Sequence, residues 1–465
     1  MDDLLLAFYG DDFTGSTDAL EGLARNGVRA MLFLGPPTPS DLAEFDDLDA
    51  VGVAGRSRSM SPEEMTEALP DAFRALADLD PTVLHYKVCS TFDSAPDVGS
   101  IGHAIDIAQE TVESPFVPVS QGSAVPAGRY VAFGHLFAEE QGEMYRIDRH
   151  PTMRDHPSTP MRESDLRRHL GEQTDRDIGL VDLRQLEGGE ISLPAEEVVV
   201  FDATAPRHLH AIGADLWNRA RDAEGPLFAV GSSGLEHHAF TTHWADVGLI
   251  PDTEPLIEAR PAVDRIAVMS GSASPVTARQ IAHAEEHGFA TVRLDTARLV
   301  DPEEATAARE EALSTARDAL DDGRSVVLYT ARGPEDSALQ QTRERYAALD
   351  LDGDDDGDGD GPAGGDDDGL GARLGRQQGR IFRELVAGTD LDRVCVAGGD
   401  TSGAVVSQLD VYALEPVAPT APGAPLCRVH SRTDAFDGTE IALKGGQTGG
   451  ADYFRTVLTG GVDPE

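Results

Sequence analysis

The run Leu4-Leu5-Leu6-Ala7-Phe8-Tyr9 is apolar without a break and stops at Gly10-Asp11-Asp12-Phe13-Thr14-Gly15-Ser16-Thr17-Asp18. An unbroken apolar run of this length suits a strand covered on both faces, as in a parallel sheet, better than the one-sided alternation of an exposed antiparallel strand. A helical pattern follows at once (Ala19, Leu20, Leu23, Ala24). Strand, polar turn and helix make the opening of a βαβ unit. Ligands of open α/β sheets bind just past the carboxyl ends of strands. Asp11 and Asp12 therefore fall where a small polyol or a metal would be handled. Helix capping is the competing role for either Asp alone, but two of them beside Thr14, Gly15 and Ser16 favour a site.

The alternation continues along the chain. Strands are expected near 29–34, 50–54, 82–88, 178–181, 198–201 and 227–230, with helices over 62–79, 101–112, 209–220 and 235–244. A polar, proline-containing stretch at 247–263 then separates a second series. Its strands fall near 265–269, 290–294, 325–329, 393–397 and 440–443, and its helices over 275–287, 302–320, 372–386 and onward from 401. The fold class expected is α/β, as two α/β domains with mainly parallel sheets and an active-site cleft between them. The domains would span 1–250 and 260–465. Residues 350–371 are almost all Asp and Gly, too poor in apolar groups to offset the entropy of ordering, and read as a disordered, solvated insertion. Asp354, Asp356, Asp358 and Gly359 imitate a calcium loop, but the twelfth position of that register is Gly365 where a bidentate Glu is needed.

Eighty-three acidic residues against 38 Lys and Arg give a net charge of -45, a field that repels nucleic acid and anionic membranes. Acidic residues are spread over the whole chain, as expected for a halophilic protein whose self-repulsion is screened by salt. Three cysteines without a C-x-x-C pair give neither a disulfide framework nor a zinc signature. No apolar run nears transmembrane length, and a cytoplasmic protein is expected.

Other polar segments sit at strand ends. Ser57-Arg58-Ser59 follows the strand near 50–54, and Lys87-Val88-Cys89-Ser90-Thr91-Phe92-Asp93-Ser94 closes the strand near 82–88. With parallel strands, both share a sheet edge with Asp12. Arg58 suits a carboxylate, and Lys87 a carboxylate or a transferred phosphoryl group. Asp148-Arg149-His150-Pro151 and the segment from His156 to Met161 form a proline-stiffened stretch able to hold His or Arg in place, or to serve only as a rigid crossover. Three small-residue turns mark the second domain: Ser270-Gly271-Ser272-Ala273-Ser274, Gly398-Gly399-Asp400-Thr401-Ser402-Gly403 and Lys444-Gly445-Gly446-Gln447-Thr448-Gly449-Gly450. Such turns at helix N-termini offer backbone N–H groups to phosphate. Neither a Walker A sequence nor G-x-G-x-x-G occurs, which disfavours a P-loop NTPase and a dinucleotide-dependent dehydrogenase. Carboxylates in one domain and a phosphate cradle in the other point to phosphoryl transfer.

These motifs, in this order, resemble those of the four-carbon acid sugar kinases, formerly a domain of unknown function. Gly10 to Gly15 resembles the family's A/G-D-D-F-T-G, and Lys87 to Ser94 its K-x-C-S-T-F-D-S. His156 to Met161 resembles H-P-x-x-P-M, and Gly231 to Leu235 a G-G-S-G-L turn. Ser270 to Ser274 is similar to S-G-S-C-S, Gly398 to Gly403 to G-G-E-T-S-G, and Lys444 to Gly449 to K-S-G-N-F-G. The resemblance implies ATP- and Mg²⁺-dependent phosphorylation of the terminal hydroxyl of a small acid sugar, with a homodimer left open. Its ATP contacts carry onto Ser272, Gly398, Gly399, Asp400, Thr401 and Gly446. On the sugar side it implies Asp12, Arg58 and Lys87, joined in the same turns by Asp11, Ser90, Thr91 and Asp93. Arg58 would bind the substrate carboxylate, Asp12 would orient or deprotonate the attacking hydroxyl, and Lys87 would support the substrate or the developing phosphate charge. Asp400 replaces the usual Glu and keeps its charge; Gln447-Thr448 replaces Asn-Phe. The Cys89-to-Ser94 form leans towards a 3-oxo acid sugar over plain threonate, so a 3-oxo-tetronate-like acid is expected, with threonate or erythronate as an alternative. The longer block at 148–161 leaves room for a branched substrate such as 3-oxo-isoapionate. A non-catalytic acid-sugar sensor is the more distant alternative.

Overall fold

The opening apolar run forms a strand, β1 (Leu6–Gly10), buried along its whole length. The computed structural model describes residues 4–123, 128–140, 142–156, 158–251, 255–349 and 369–462. The chain divides into two units, Met1–Leu256 and Ile257–Glu465. Of the acidic stretch at 350–371, residues 350–368 lie outside the described residues, and a helix already begins at Leu370 (Leu370–Ala387).

The first unit continues with β2 (Ala30–Phe33), β3 (Ala50–Ala54), β4 (Val83–Lys87), β5 (Val117–Ser120) and β6 (Arg129–Ala132). It closes with β7 (His135–Glu140), β8 (Glu143–Arg146), β9 (Ile178–Val181), β10 (Val198–Phe201) and β11 (Leu227–Gly231). Within this unit one sheet runs β2-β3-β1-β4-β11-β5-β10-β9, every pair parallel. The remaining strands form an antiparallel meander, β6-β7-β8. From β1 the chain moves to one side for β2 and β3, then returns past β1 to lay down β4. The carboxyl end between β1 and β4 is thus a topological switch point, where neighbouring crossovers depart in opposite directions and leave a crevice.

The second unit contains β12 (Ala267–Ser270), β13 (Ala290–Arg293), β14 (Val326–Tyr329), β15 (Arg393–Ala397), β16 (Val411–Ala421), β17 (Ala424–Ser431) and β18 (Glu440–Lys444). Its order is β13-β14-β12-β15-β18-β17-β16, parallel as far as β18 and antiparallel beyond. The first four strands repeat the arrangement of β1 to β4, so a second switch point falls between β12 and β15. At the amino end of the sheet, buried Arg393 pairs with Glu440 (Nε to Oε2, 2.8 Å) and donates to the Val457 carbonyl (2.9 Å). With both charges hydrogen-bonded in place, removing either would strand its partner.

The sequence pattern passes over the β6–β8 meander and the β16–β17 hairpin. Pro416, Pro419 and Pro425 explain the latter, since proline demotes a run as a strand signal. Here the register slips between Pro416 and Ala418, so the strand tolerates its prolines at irregular pairs. The helix expected over 235–244 begins instead as a π-helical turn, Leu235–Ala239, before an α-helix at Phe240–Asp246.

Candidate active site

Register places the expected residues of the first unit together. Gly10 lies opposite Ala54 on β3 and Lys87 on β4, so the turns after β1, β3 and β4 leave the sheet at one level. Backbone bonds stitch them: Asp11 N donates to Lys87 O (2.8 Å), Arg58 N to Asp11 O (3.0 Å), and Gly55 N to Gly10 O (2.9 Å). Packing beneath sets their height. Tyr9 stacks on Tyr86 with ring centroids 6.1 Å apart, Phe73 meets both rings edge-on, and the Tyr86 hydroxyl lies 2.8 Å from Ser57 Oγ.

Asp12 caps the helix Phe13–Arg25 after all, accepting from Gly15 N at 2.7 Å, while Thr14 Oγ1 donates to its other oxygen at 2.9 Å. Capping does not exhaust it, because Arg58 Nη1 also reaches that second oxygen at 2.9 Å. Arg58 grips Asp11 with two further donors, Nη2 to Oδ1 at 2.9 Å and Nε to Oδ2 at 3.2 Å. Two of its five N–H donors are therefore spent on Asp11, in the two-bond grip that a free carboxylate would also take, while Asp12 is held by charge. Burial pushes the Asp11 carboxyl up against the opposing pull of Arg58. The Asp11 side chain is 4% exposed and the Asp12 side chain 25%, so of the pair Asp12 is the one that reaches outward.

Lys87 is buried, and among the described residues its ammonium makes no hydrogen bond or ion pair. A Cβ on Gly15 would stand 2.4 Å from Asp12 Oδ1 and 2.5 Å from Lys87 Nζ, so the absent side chain is what lets the lysine approach the capped helix end. Burial opposes the Lys87 charge, yet Asp18, Asp12 and Asp11 together hold its pKa above the ordinary lysine value. It is a charged group with donors in reserve.

The sequence pattern did not pick out what lies behind this lysine. Asp18, one turn into the same helix, binds Ser233 Oγ and His237 Nε2, the latter at 3.3 Å. His237 belongs to the π-helical turn after β11, a distortion frequent at functional sites. Burial works against both charges; their mutual hydrogen bond and attraction, with the charges around them, outweigh it, raising His237 and lowering Asp18. The usable signal was Gly231 to Leu235, whose position past a parallel strand puts it on the same edge. Arg129 on β6 was also passed over and lies within electrostatic reach of Cys89.

The remaining residues of the K-x-C-S-T-F-D-S segment build a folded turn. Thr91 Oγ1 donates to Asp93 and sits 3.0 Å from Cys89 Sγ, while Phe92 takes a left-handed φ of 57°. Burial works against the Asp93 charge, and Arg58 together with the hydrogen bonds from Thr91 and Cys89 more than offsets it. Ser90 is half-buried in the same turn. Burial pushes the Cys89 thiol up to about 11, so it stays neutral. The stretch at 148–161 stands apart among the described residues. Asp148 pairs with Arg146 at 2.6 Å, and His150 and His156 accept from the backbone of Thr152, Met153 and Thr159. Neither histidine bonds to Asp12, Arg58 or Lys87.

In the second unit the three glycine turns converge. Gly398 takes φ 127°, a conformation that side chains rarely adopt, and starts the helix Gly399–Gln408 without any side-chain cap. A Cβ on Gly271 would sit 2.0 Å from Thr401 Oγ1, and one on Gly446 would sit 2.7 Å from Ser272 Oγ. Ser272, Gly398, Thr401 and Gly446 thus share one small space, whereas Gly399 opens onto nothing within 4 Å and Asp400 is exposed beside it. The uncapped N–H groups and the dipole of this helix face that opening, the arrangement that binds phosphate. Thr277 locks the turns, donating to Gly446 O at 2.9 Å and lying 3.3 Å from Ser272 Oγ. Gln280 ties down the 448–450 backbone by three bonds of 2.9 to 3.2 Å. Lys444, fully buried at the end of β18, donates to Thr277 Oγ1 at 3.2 Å. Burial lowers its pKa to about 8.

Among the described residues no group of three or more His, Cys, Asp or Glu is placed to hold a metal. No helix among them is long and apolar enough to cross a membrane.

Comparison with known proteins bears on both units. Residues 6–239 match a family model described as a sugar-binding N-terminal domain, and residues 267–454 one described as a nucleotide-binding C-terminal domain. The 3-oxo-isoapionate kinase of Paraburkholderia graminis is 44% identical over 464 residues, covering 98% of this chain and 94% of its own. The 3-oxo-tetronate kinase of Methylobacterium radiotolerans is 30% identical over 470 residues, covering 98% and 99%. A solved protein of Salmonella typhimurium LT2 superposes with a TM-score of 0.76 at 24% identity over 97% of this chain and 98% of that one, a likeness of fold.

Proposed function

The chain belongs to the four-carbon acid sugar kinases, enzymes that transfer phosphate from ATP, and we propose that within this family its substrate is 3-oxo-isoapionate. One observation carries the choice: identity to the 3-oxo-isoapionate kinase is 44%, against 30% to a 3-oxo-tetronate kinase, over nearly the same length of chain. The second reading, 3-oxo-tetronate, draws on several relatives of that name at 29 to 30% identity.

The terminal hydroxyl oxygen of the acid attacks the γ-phosphorus. The new O–P bond forms as the bond to the β,γ-bridging oxygen breaks, ADP leaves, and the hydroxyl proton passes to Asp12. Arg58 holds Asp11 and Asp12 in place, and its remaining N–H donors are available to the substrate. Lys87 takes negative charge, from the substrate carboxylate or from the phosphoryl group in flight. Ser272, Gly398, Gly399, Thr401 and Gly446 seat the phosphates, with Asp400 at the rim. Mg²⁺ would come bound to ATP and supply positive charge to its phosphates, a role that suits an ion keeping its waters and needing few protein ligands.

The test is turnover with 3-oxo-isoapionate, 3-oxo-tetronate, threonate and erythronate in molar KCl with Mg²⁺. The expected result is a kcat/KM for 3-oxo-isoapionate at least about tenfold above the others, the discrimination that a fitted pocket readily gives. A preference for 3-oxo-tetronate would move the substrate assignment to the second reading and leave the kinase reading intact.

Lys444 makes the nucleotide half sensitive to pH. Its folded pKa of about 8 lies below the ordinary value of 10.5. Between the two values the unfolded chain binds more protons, so the unliganded protein gains stability as pH rises through this window. Nucleotide binding has the opposite sign, because the polyanion favours the protonated lysine. ATP affinity should drop several-fold, up to about tenfold for one charge-assisted interaction, as pH rises past about 8. Calorimetric titration of ATP across that range checks it. The drop should vanish in Lys444→Met, while the Cys395 thiol, pushed up to about 12 by burial, contributes nothing.

A further inference from the structure

One polar side chain beside the phosphate turns has no task within the protein. Gln378, on the helix Leu370–Ala387, is 3% exposed, and among the described residues its amide makes no hydrogen bond. Its Nε2 is a buried donor without a partner. Buried amides are nearly always satisfied, so an orphan of this kind needs an explanation.

Its position supplies one. A Cβ built on Gly271 would lie 2.9 Å from Gln378 Nε2 and 2.0 Å from Thr401 Oγ1, so the amide and the threonine hydroxyl close on the same turn. Two glycines of the Gln378 helix bring it there. A Cβ on Gly375 would stand 3.0 Å from Ala404 Cβ, and one on Gly379 would stand 2.8 Å from Ala404 O and 2.6 Å from Gln408 Cγ. With no side chains at these positions, the helix lies directly against Gly399–Gln408. Gln378 is thereby delivered beside the uncapped end of that helix, where the dipole favours an anion.

We propose that Gln378 is a nucleotide-contacting residue whose Nε2 donates to an oxygen of the phosphate chain seated on the N-terminus of the helix Gly399–Gln408. This deepens the ATP-dependent reading and rests on it. The donor counts only for a ligand that carries phosphate, so it sets the preference for ATP and ADP over the bare nucleoside. Gln378→Met keeps the length and apolar stem and removes the donor. Gln378→Glu keeps the shape and places a carboxylate against phosphate.

Titration calorimetry of the full chain with ATP, ADP and adenosine reads this out. For Gln378→Met, affinity for ATP and ADP should fall about tenfold, the scale of one hydrogen bond to a charged group, with adenosine changed less than about twofold. Gln378→Glu should fall further for the phosphorylated ligands alone. Unchanged ATP affinity in Gln378→Met overturns the proposal, and so does an equal loss for ATP and adenosine, which would mark a packing role. Should Gln378→Met fail to fold, Gln378→Glu carries the same comparison. Wild-type protein that binds no ATP removes the kinase reading and this proposal together. Wild-type protein that phosphorylates an acid sugar, with variants that bind ATP normally, removes this proposal alone.

Discussion

Asp12→Asn should cut turnover by roughly 10²–10⁴, the usual range for a lost general base, while melting temperature and ATP affinity stay close to wild type. The separation follows from what the side chain does. As the cap of Phe13–Arg25, Asp12 accepts from Gly15 N, and an Asn carbonyl accepts the same bond about equally well. What the substitution removes is the charge opposite Arg58 and the oxygen able to take a proton. Asp11, held in two bonds by Arg58 and almost fully buried, cannot stand in for it. Steady-state kinetics with the preferred acid, beside a thermal melt, decides the point. Turnover within a factor of two of wild type would remove Asp12 from the chemistry.

Lys87→Met should be nearly as severe, lowering kcat/KM by about 10²–10³, the scale seen when one preorganised stabiliser of charge is removed. The lysine spends none of its donors on the described protein, so the loss falls on the ligand. Its charge is nonetheless held by Asp18, Asp12 and Asp11, and stripping it leaves those carboxylates less compensated. A modest drop in melting temperature should accompany the kinetic loss. The KM-against-kcat split then identifies the charge that Lys87 meets. A rise in KM alone marks the substrate carboxylate, and a fall in kcat alone marks the phosphoryl group in transfer. Full activity in a folded Lys87→Met protein would contradict both roles.

The parallel strands were the legible part of this chain. β1, β4, β12 and β15 are short, largely apolar runs that end at, or one residue before, a glycine or a lysine, and such runs announce both the sheet and the edge where chemistry gathers. Asp11, Asp12, Arg58 and Lys87 stand out in the sequence because each lies within a few residues of a strand end. Asp18, His237 and Gln378 do not. They reach the two sites from inside helices, through glycines at positions 22, 375 and 379 that make room for a ring or a helix, and single-chain periodicity carries no trace of which neighbour fills the gap. A strand-end arginine advertises anion binding, but periodicity carries no trace of the two carboxylates, Asp11 and Asp12, that Arg58 meets within the chain.

Strand β18 has its two ends committed to different things. Glu440 at the start anchors Arg393, which in turn holds the Val457 carbonyl; Lys444 at the finish stands under the glycine turns. Because side chains at the two ends do not touch, changes at one are nearly additive with changes at the other. A lineage can therefore drift in nucleotide preference or working pH through the finish of this strand without spending the stability secured at its start. Members of the family that have exchanged the turn after Lys444 should retain the Arg393–Glu440 pair, and chains that lose one partner and keep the other should fail as folds before they fail as catalysts.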